Sequence, residues 1–290
     1  MSVKTDTYTD ARYLDRVQGL LTQTLARLSS GSRINNPSDD PQAVGLAAKI
    51  SAQNKRIQAA TTNVQNATSY IQSADGMLNS MGEMVTRMSE LSVLAKDVMK
   101  NGGDIALYQT EFTKIQDQLR VTIGGTTAEI GGTTSITSPM GTFNGIVVFG
   151  PNAAGTPVST GEDPQNVITI PGTNLRTGGM LSLIQQDSAG NYTLSVTDAT
   201  ATDTINTSIS QLADTRSTLG AVERRFELAG ASLTKRGENM TKSLSDINDV
   251  DVAEESTRLS KFQALSEAST AMLAQANKSP EAVLRLLQQI

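Results

Sequence analysis

From Ile50 onward, apolar residues return every seven positions: Ile50, Ile57, Val64, Ile71, Leu78 and Val85. Three residues after each stand Gln53, Ala60, Ala67, Ala74, Met81 and Met88. This is the a/d pattern of helices packed along a seam. It predicts a helix over residues 42–100, roughly 88 Å long at about 1.5 Å per residue. Asn101-Gly102-Gly103 is its predicted stop. A shorter helix over 104–121 follows, with Leu107, Phe112, Ile115 and Leu119. A second track repeats the period: Ile205, Leu212, Leu219, Phe226, Leu233, Met240 and Ile247, over roughly 68 Å. Two seams of equal period are expected to pack on each other as an antiparallel bundle, the shorter helix alongside. Burying each a-position side chain contributes about 1.5–3 kcal/mol, so the seams dominate the gross hydrophobic term and need no help from the chain ends.

Those ends carry apolar stripes of their own. Leu14, Val17, Leu21, Leu25 and Leu28 line one amphipathic helix. Leu259, Phe262, Leu265, Leu273, Val283, Leu287 and Ile290 line another, which Pro280 kinks or restarts. Breaks at 29–37 and 246–251 separate them from the seams. After the first break, Asp39 or Asp40 can cap a new helix, with Pro41 in its first turn. Beyond each other, the two terminal stripes have no obvious partner within one chain. An exposed apolar stripe implies a second surface, so self-association through both termini is expected.

Between the seams the pattern changes. Residues 121–203 hold 13 of the 23 Gly and 5 of the 8 Pro, with Arg176 as the one basic residue. That density breaks helices, and short runs at 146–149, 167–170, 181–184 and 192–196 predict strands. Asp187 to Asn191 predicts a hairpin turn between the last two. The expected fold is mainly α, a long coiled-coil-like antiparallel bundle with a small β-hairpin-rich insert. It divides into terminal helices at 1–40 and 250–290, a long-helix rod at 41–120 plus 204–249, and the insert at 121–203.

Composition narrows the function. Cys and His are both absent, which removes Cys₂His₂ zinc, Cys–His and Ser–His–Asp chemistry together. A net charge of -5 without a dominant basic patch argues against nucleic acid. No run of 18 apolar residues offers a membrane span, and the first residues lack the apolar core of a signal peptide. Asp246 to Asp251 has spaced carboxylates but lacks the Gly and distal Glu of a calcium loop. The pairs Gly124-Gly125 and Gly131-Gly132 lack the Lys of a phosphate loop. Asn66, Asn191, Asn206 and Asn239 fit an N-glycan pattern common by chance, and Ser/Thr in 121–203 are candidate O-glycan positions. No enzyme, cofactor or metal site is expected.

Several separated motifs carry a resemblance. Leu28-Ser-Ser-Gly31 through Arg33-Ile34-Asn35 to Asp39-Asp40 resembles the N-terminal signature of bacterial flagellins. Leu219-Gly-Ala-Val222 with Arg225-Phe226, then Met272-Leu-Ala-Gln-Ala-Asn277, Pro280 and Val283 to Leu287, resemble the C-terminal signature. Phe143-Asn144-Gly145 matches a loop after the family's second core helix. The resemblance spans about 1–120, 140–150 and 205–290. It implies a structural subunit that self-polymerises into the flagellar filament, the propeller of swimming motility. The termini, 1–40 plus 250–290, would pair as an inner core domain and form the polymerisation surface, with the insert on the outer side of the rod; the heptad residues remain the intrachain packing that their period predicts. It implies further partners: the flagellar cap and hook-junction proteins, an export chaperone on the C-terminal helix, and the type III export apparatus, with no stable membrane insertion. It implies an extracellular location reached without a cleaved signal peptide, and terminal segments that stay largely disordered until they join neighbours.

The opening Ile-Asn-x-Asn usual in the family is absent. Arg87, Glu90 and Leu91 match a candidate innate-receptor contact of many flagellins, with Thr86 standing where Gln is usual. The plainer reading of that segment is a helix face used in subunit packing. The rival functions are a hook–filament junction protein and, from another class, a type III-secreted membrane-active helical protein.

Overall fold

In the computed structural model, the backbone is described for residues 2–151, 154–161, 163 and 165–287; side chains of 2–8, 10 and 276–287 lie outside the description. The described elements run α1 (Ser2–Ser30), α2 (Pro41–Ala95), α3 (Gly102–Ile123), α4 (Thr127–Ile130), β1 (Thr142–Phe143), β2 (Ile146–Val147), β3 (Thr156–Ser159), β4 (Val167–Ile170), α5 (Gly178–Ile184), α6 (Ala201–Asn248) and α7 (Val252–Leu287). The fold is mainly helical with small antiparallel hairpins in an insert. The chain forms two compact units, one of Arg56–Arg236 and one of Met1–Lys55 with Gly237–Ile290.

The larger unit holds the heptad core. Ile57, Val64, Ile71, Leu78 and Val85 of α2 are buried, as are Ala60, Ala67, Ala74, Met81 and Met88 one step along. Ile205, Leu212, Leu219, Phe226 and Leu233 of α6 are equally buried. Polar pairs fix the antiparallel direction. Gln72 Nε2 donates to Glu223 at 3.1 Å. Arg216 forks onto Asp75 at 2.7 and 3.1 Å and reaches Asn79. Lys96 Nζ donates to Thr202 at 2.8 Å. As α2 advances, its partners on α6 recede. Phe112, Leu119 and Ile123 of α3 complete this core.

Two helix boundaries differ from the heptad reading. The first long helix ends at Ala95, short of residue 100. Lys96 and Asp97 donate to Val93 and Leu94, three residues back, which tightens the last turn. Asp97 then accepts the Met99 N–H. Asn101 does not stop α2; it starts α3, accepting the Asp104 N–H at 2.9 Å while Asp104 receives the Asn101 N–H, a reciprocal cap.

Among the described residues, the insert holds two hairpins and two short helices. Asn144 and Gly145 both take positive φ, 49° and 78°, the tight turn that joins β1 to β2. Phe143 then meets Tyr70 of α2 edge-on, ring centres 5.5 Å apart. Residues 167–170 are strand β4, paired with β3, while of 146–149 only the first two are strand. Leu181–Ile184 is no strand: it is the end of helix α5. Met180, Leu183 and Ile184 are buried at helical spacing, and a short apolar run reads equally as strand or helix. Gly179 decides the packing, since a Cβ there would stand 2.7 Å from the Ser208 backbone nitrogen of α6. Residues 192–196 also form no strand; Tyr192 makes a single bridge to Gln186. The turn between them exists, with Asp187 N–H donating to the Asn191 carbonyl at 2.8 Å. Beneath α5, buried Arg120 donates to the carbonyls of Ile130, Gly131 and Ile184, and Gln116 to those of Leu183 and Leu194.

In the smaller unit, α1 packs along α7. Arg27 stands by Glu255, and Tyr13 shares a pocket with Leu265 and Met272, so the two helices run antiparallel. Within this unit α2 and α6 stay paired, Asn54 Nδ2 donating to Thr241 at 3.2 Å.

Candidate assembly surface

The terminal helix pair carries apolar side chains that packing within the chain covers only in part. Val17 is buried at 3% exposure, but Leu14, Leu21, Leu28, Leu259, Phe262, Leu265 and Leu273 are only half-buried. Leu25 is 48% exposed, Tyr13 47% and Met272 64%. Tyr13, Thr9, Leu265, Ala268, Ser269 and Met272 line an open apolar pocket of about 480 Å³. Ile290 lies outside the described residues, and Val283 and Leu287 are on α7 with side chains outside the description. Pro280 falls within α7 without ending it.

The heptad residues sort differently. Ile57, Val64, Ile71, Leu78, Val85, Leu212, Leu219, Phe226 and Leu233 are buried. Ile50, Met240 and Ile247, at the outer ends of the two tracks, are half-buried in the smaller unit. Burial is therefore complete in the middle of the tracks and incomplete at their ends.

The connectors between helices are tied to one another. Asp40 Oδ1 accepts the Ala43 N–H at 2.9 Å and caps α2. Asp39 faces the other way, accepting the N–H groups of Asn35 and Asn36. The Arg33 N–H donates to Asn248 at 2.7 Å and the Val250 N–H to Gly31 at 3.0 Å, around an antiparallel bridge between Ser32 and Asp249. The Arg33 guanidinium donates to the Ile247 carbonyl at 2.9 Å, satisfying an orphan acceptor at the end of α6. The heptad pattern carries no trace of this clasp. An Arg and a Gly in the first connector were its one sequence signal.

Of the three candidate receptor residues, two face solvent. Arg87 is held between Glu111, at 2.7 Å, and Glu90, at 2.9 Å. Hydrogen bonds donated to Glu111, then to Glu90, favour the charged form of Arg87, and the same Arg87 bond holds the Glu111 carboxyl below the usual range. Leu91 is fully buried; it belongs to the core and has no surface to offer a partner. Arg87, Glu90, Thr86 and Leu78 from α2 and Ile209, Leu212 and Arg216 from α6 wall a shallow groove of about 450 Å³.

Among the described residues, no group of three carboxylates stands close enough to hold a metal, and no helix is long and apolar enough to cross a membrane. What the molecule presents is surface for protein contact: half-covered apolar faces, a tied joint and charged helix flanks.

Comparison with known proteins agrees with that reading. Residues 5–128 match the bacterial flagellin N-terminal helical region, and residues 202–287 the bacterial flagellin C-terminal helical region. The chain is similar to the flagellar filament core protein flaB2 of Brachyspira hyodysenteriae, 30% identical over 276 residues that cover 92% of each chain. It is similar to a flagellin of Halalkalibacterium halodurans, 28% identical over 92% of this chain and 91% of that one. With the flagellin of Bacillus subtilis it shares 45% identity over 84 residues, 29% of this chain and 28% of that one. Both helical regions match in order, on the helices that carry the seams and the terminal stripes, and the chain belongs to the bacterial flagellin family.

Proposed function

We propose that this protein is the structural subunit of a bacterial flagellar filament and that it polymerises through the paired terminal helices. The observation that carries the reading is the contrast in burial. The middle of each heptad track is sealed within one chain, while the described apolar faces of α1 and α7 are half open. Contacts between unlike patches that do not close into a ring build an open helical polymer. Each half-buried leucine still has about 1 kcal/mol of burial to gain from a neighbour, taking half of the usual side-chain value.

Flagellins are structural proteins, and no residue here is assigned a catalytic role. The finer partners follow as part of the same proposal: flagellar cap and hook-junction proteins at the filament ends, an export chaperone on α7, and the type III export apparatus. The location is the flagellum outside the cell. Domain roles follow too, with the terminal pair at the filament core, the long helices around it and the insert outermost.

Negative-stain electron microscopy after salt-induced assembly tests the proposal, run beside a truncation lacking residues 1–35 and 255–290. Filaments from the full chain and folded, soluble monomer from the truncation are expected. Failure of the full chain to polymerise would move the assignment to a junction protein. Filaments from both would place the assembly contacts on the long helices. Leakage of liposomes by the purified chain would favour the membrane-active reading.

A further inference from the structure

We propose that Met272 is an oxidation-sensitive position through which a hydroperoxide controls entry of the subunit into the polymer. The inference rests on the filament reading above and adds a chemical switch to its terminal surface. The chain has 10 Met and no Cys, so a thioether is its softest nucleophile and the group a hydroperoxide oxidises first. Among the described residues, burial divides the methionines. Met81, Met88 and Met180 have no exposed surface. Met77, Met84 and Met240 are half-buried. Met99, Met140 and Met272 are exposed, at 86%, 64% and 64%. Met99 and Met140 belong to the larger unit, while Met272 stands on α7 in the terminal helix pair.

Its surroundings give the oxidation a consequence. Met272 lines the open apolar pocket of about 480 Å³ with Tyr13, Leu265 and Ala268. As a thioether it is a flexible apolar side chain, suited to an irregular partner surface. In the oxidation, a lone pair of the sulfur attacks one oxygen of hydrogen peroxide and an S–O bond forms. The O–O bond breaks, the proton on the transferred oxygen passes to the departing hydroxide, and water leaves. The sulfur loses two electrons and the peroxide gains them. The product is a sulfoxide, polar and chiral.

That sulfoxide oxygen is a hydrogen-bond acceptor set among apolar groups. On the pocket wall the Ser269 hydroxyl is already donated to the Leu265 carbonyl, at 2.7 Å. A neighbour that covers the pocket must strip water from the new oxygen, where before it gained apolar burial. In the free subunit the oxygen stays in water, so the cost falls on assembly and spares folding. Access runs in the opposite sense. The pocket is open in the monomer and covered in a polymer that uses it, so peroxide acts before assembly and the filament shields the subunits it has taken up. Methionine sulfoxide reductases reverse the change.

Dilute monomer is treated with hydrogen peroxide, the excess is destroyed with catalase, and peptide mass spectrometry reads the oxygen gained at each methionine. Met99, Met140 and Met272 should oxidise ahead of Met81, Met88 and Met180, with helicity unchanged by circular dichroism. Sedimentation should show the critical concentration raised by about fivefold or more, and methionine sulfoxide reductases A and B together should restore it. Met272→Leu, apolar and inert to peroxide, should assemble equally with and without treatment, while Met99→Leu/Met140→Leu should stay sensitive. Met272→Gln should raise the critical concentration without peroxide. In filaments treated after growth, Met272 should oxidise more slowly than in the monomer. A Met272→Leu chain as sensitive to peroxide as the parent would overturn the switch, and so would a Met272 that oxidises as fast in the filament as in the monomer. Absence of filaments from the untreated parent is a different failure, that of the filament reading itself.

Discussion

Removing one leucine from the sealed seam and one from the half-open terminus separates folding from assembly. Leu78 has no exposed surface, and Leu25 keeps 48% of its own. Leu78→Ala deletes about three carbons at about 0.8 kcal/mol each. With the cavity left behind, the cost falls at about 2.7–5 kcal/mol. For a unit of this size that lowers Tm by about 5–20 °C, at about 2–4 °C per kcal/mol. Leu25→Ala loses at most about half of the same transfer energy within the monomer. Its remaining half is realised only when a neighbour covers it, about 1.2 kcal/mol, which is roughly an eightfold rise in critical concentration. Thermal circular dichroism of dilute monomer reads the first quantity, and sedimentation of assembled protein the second. Leu78→Ala should move Tm strongly, and Leu25→Ala should move the critical concentration with little change in Tm. If Leu25→Ala lowered Tm as much as Leu78→Ala and left assembly unchanged, the division between a sealed core and an open terminal face would be refuted.

Two further expectations follow from single contacts. Gly179→Ala should destabilise the larger unit by about 1–3 kcal/mol, because the new Cβ meets the Ser208 backbone at 2.7 Å; Gly220→Ala, with nothing within 4 Å on a helix, should stabilise by about 0.5–1 kcal/mol, and urea melts read both. Glu129 has its carboxyl lowered by the Thr126 backbone N–H first, with the Arg176 charge adding to it. A depressed folded value means its stabilisation is complete above the unfolded carboxylate range and fades as pH falls through the folded value. Acid unfolding of Glu129→Gln, followed by circular dichroism, should therefore show a shallower loss of stability below about pH 4.5 than the parent; an identical slope would refute the assignment.

The long helices were legible because their signal is periodic and their partners share it. A seven-residue spacing held over six heptads leaves one helical face apolar, and burying that face outweighs local preference. The Asp40 cap was legible for a related reason, since it acts on the Ala43 N–H three residues away; Asn101, read as a stop, instead caps the helix that follows. The insert was harder. Leu181–Ile184 reads as strand or helix alone, and Gly179 against Ser208 of α6 decides for helix, a contact that is remote in sequence.

Leu91 shares a candidate receptor-contact segment with Arg87 and Glu90, yet tertiary packing buries it while leaving the other two in solvent. The clasp of Arg33 on Ile247, and the terminal pocket of Tyr13 with Met272, join residues more than two hundred positions apart. The linear chain determined where helices form and which faces are apolar, because those depend on neighbours within a turn or two. The tertiary structure decided which apolar faces are sealed and which stay half open, because both depend on segments that only folding brings together.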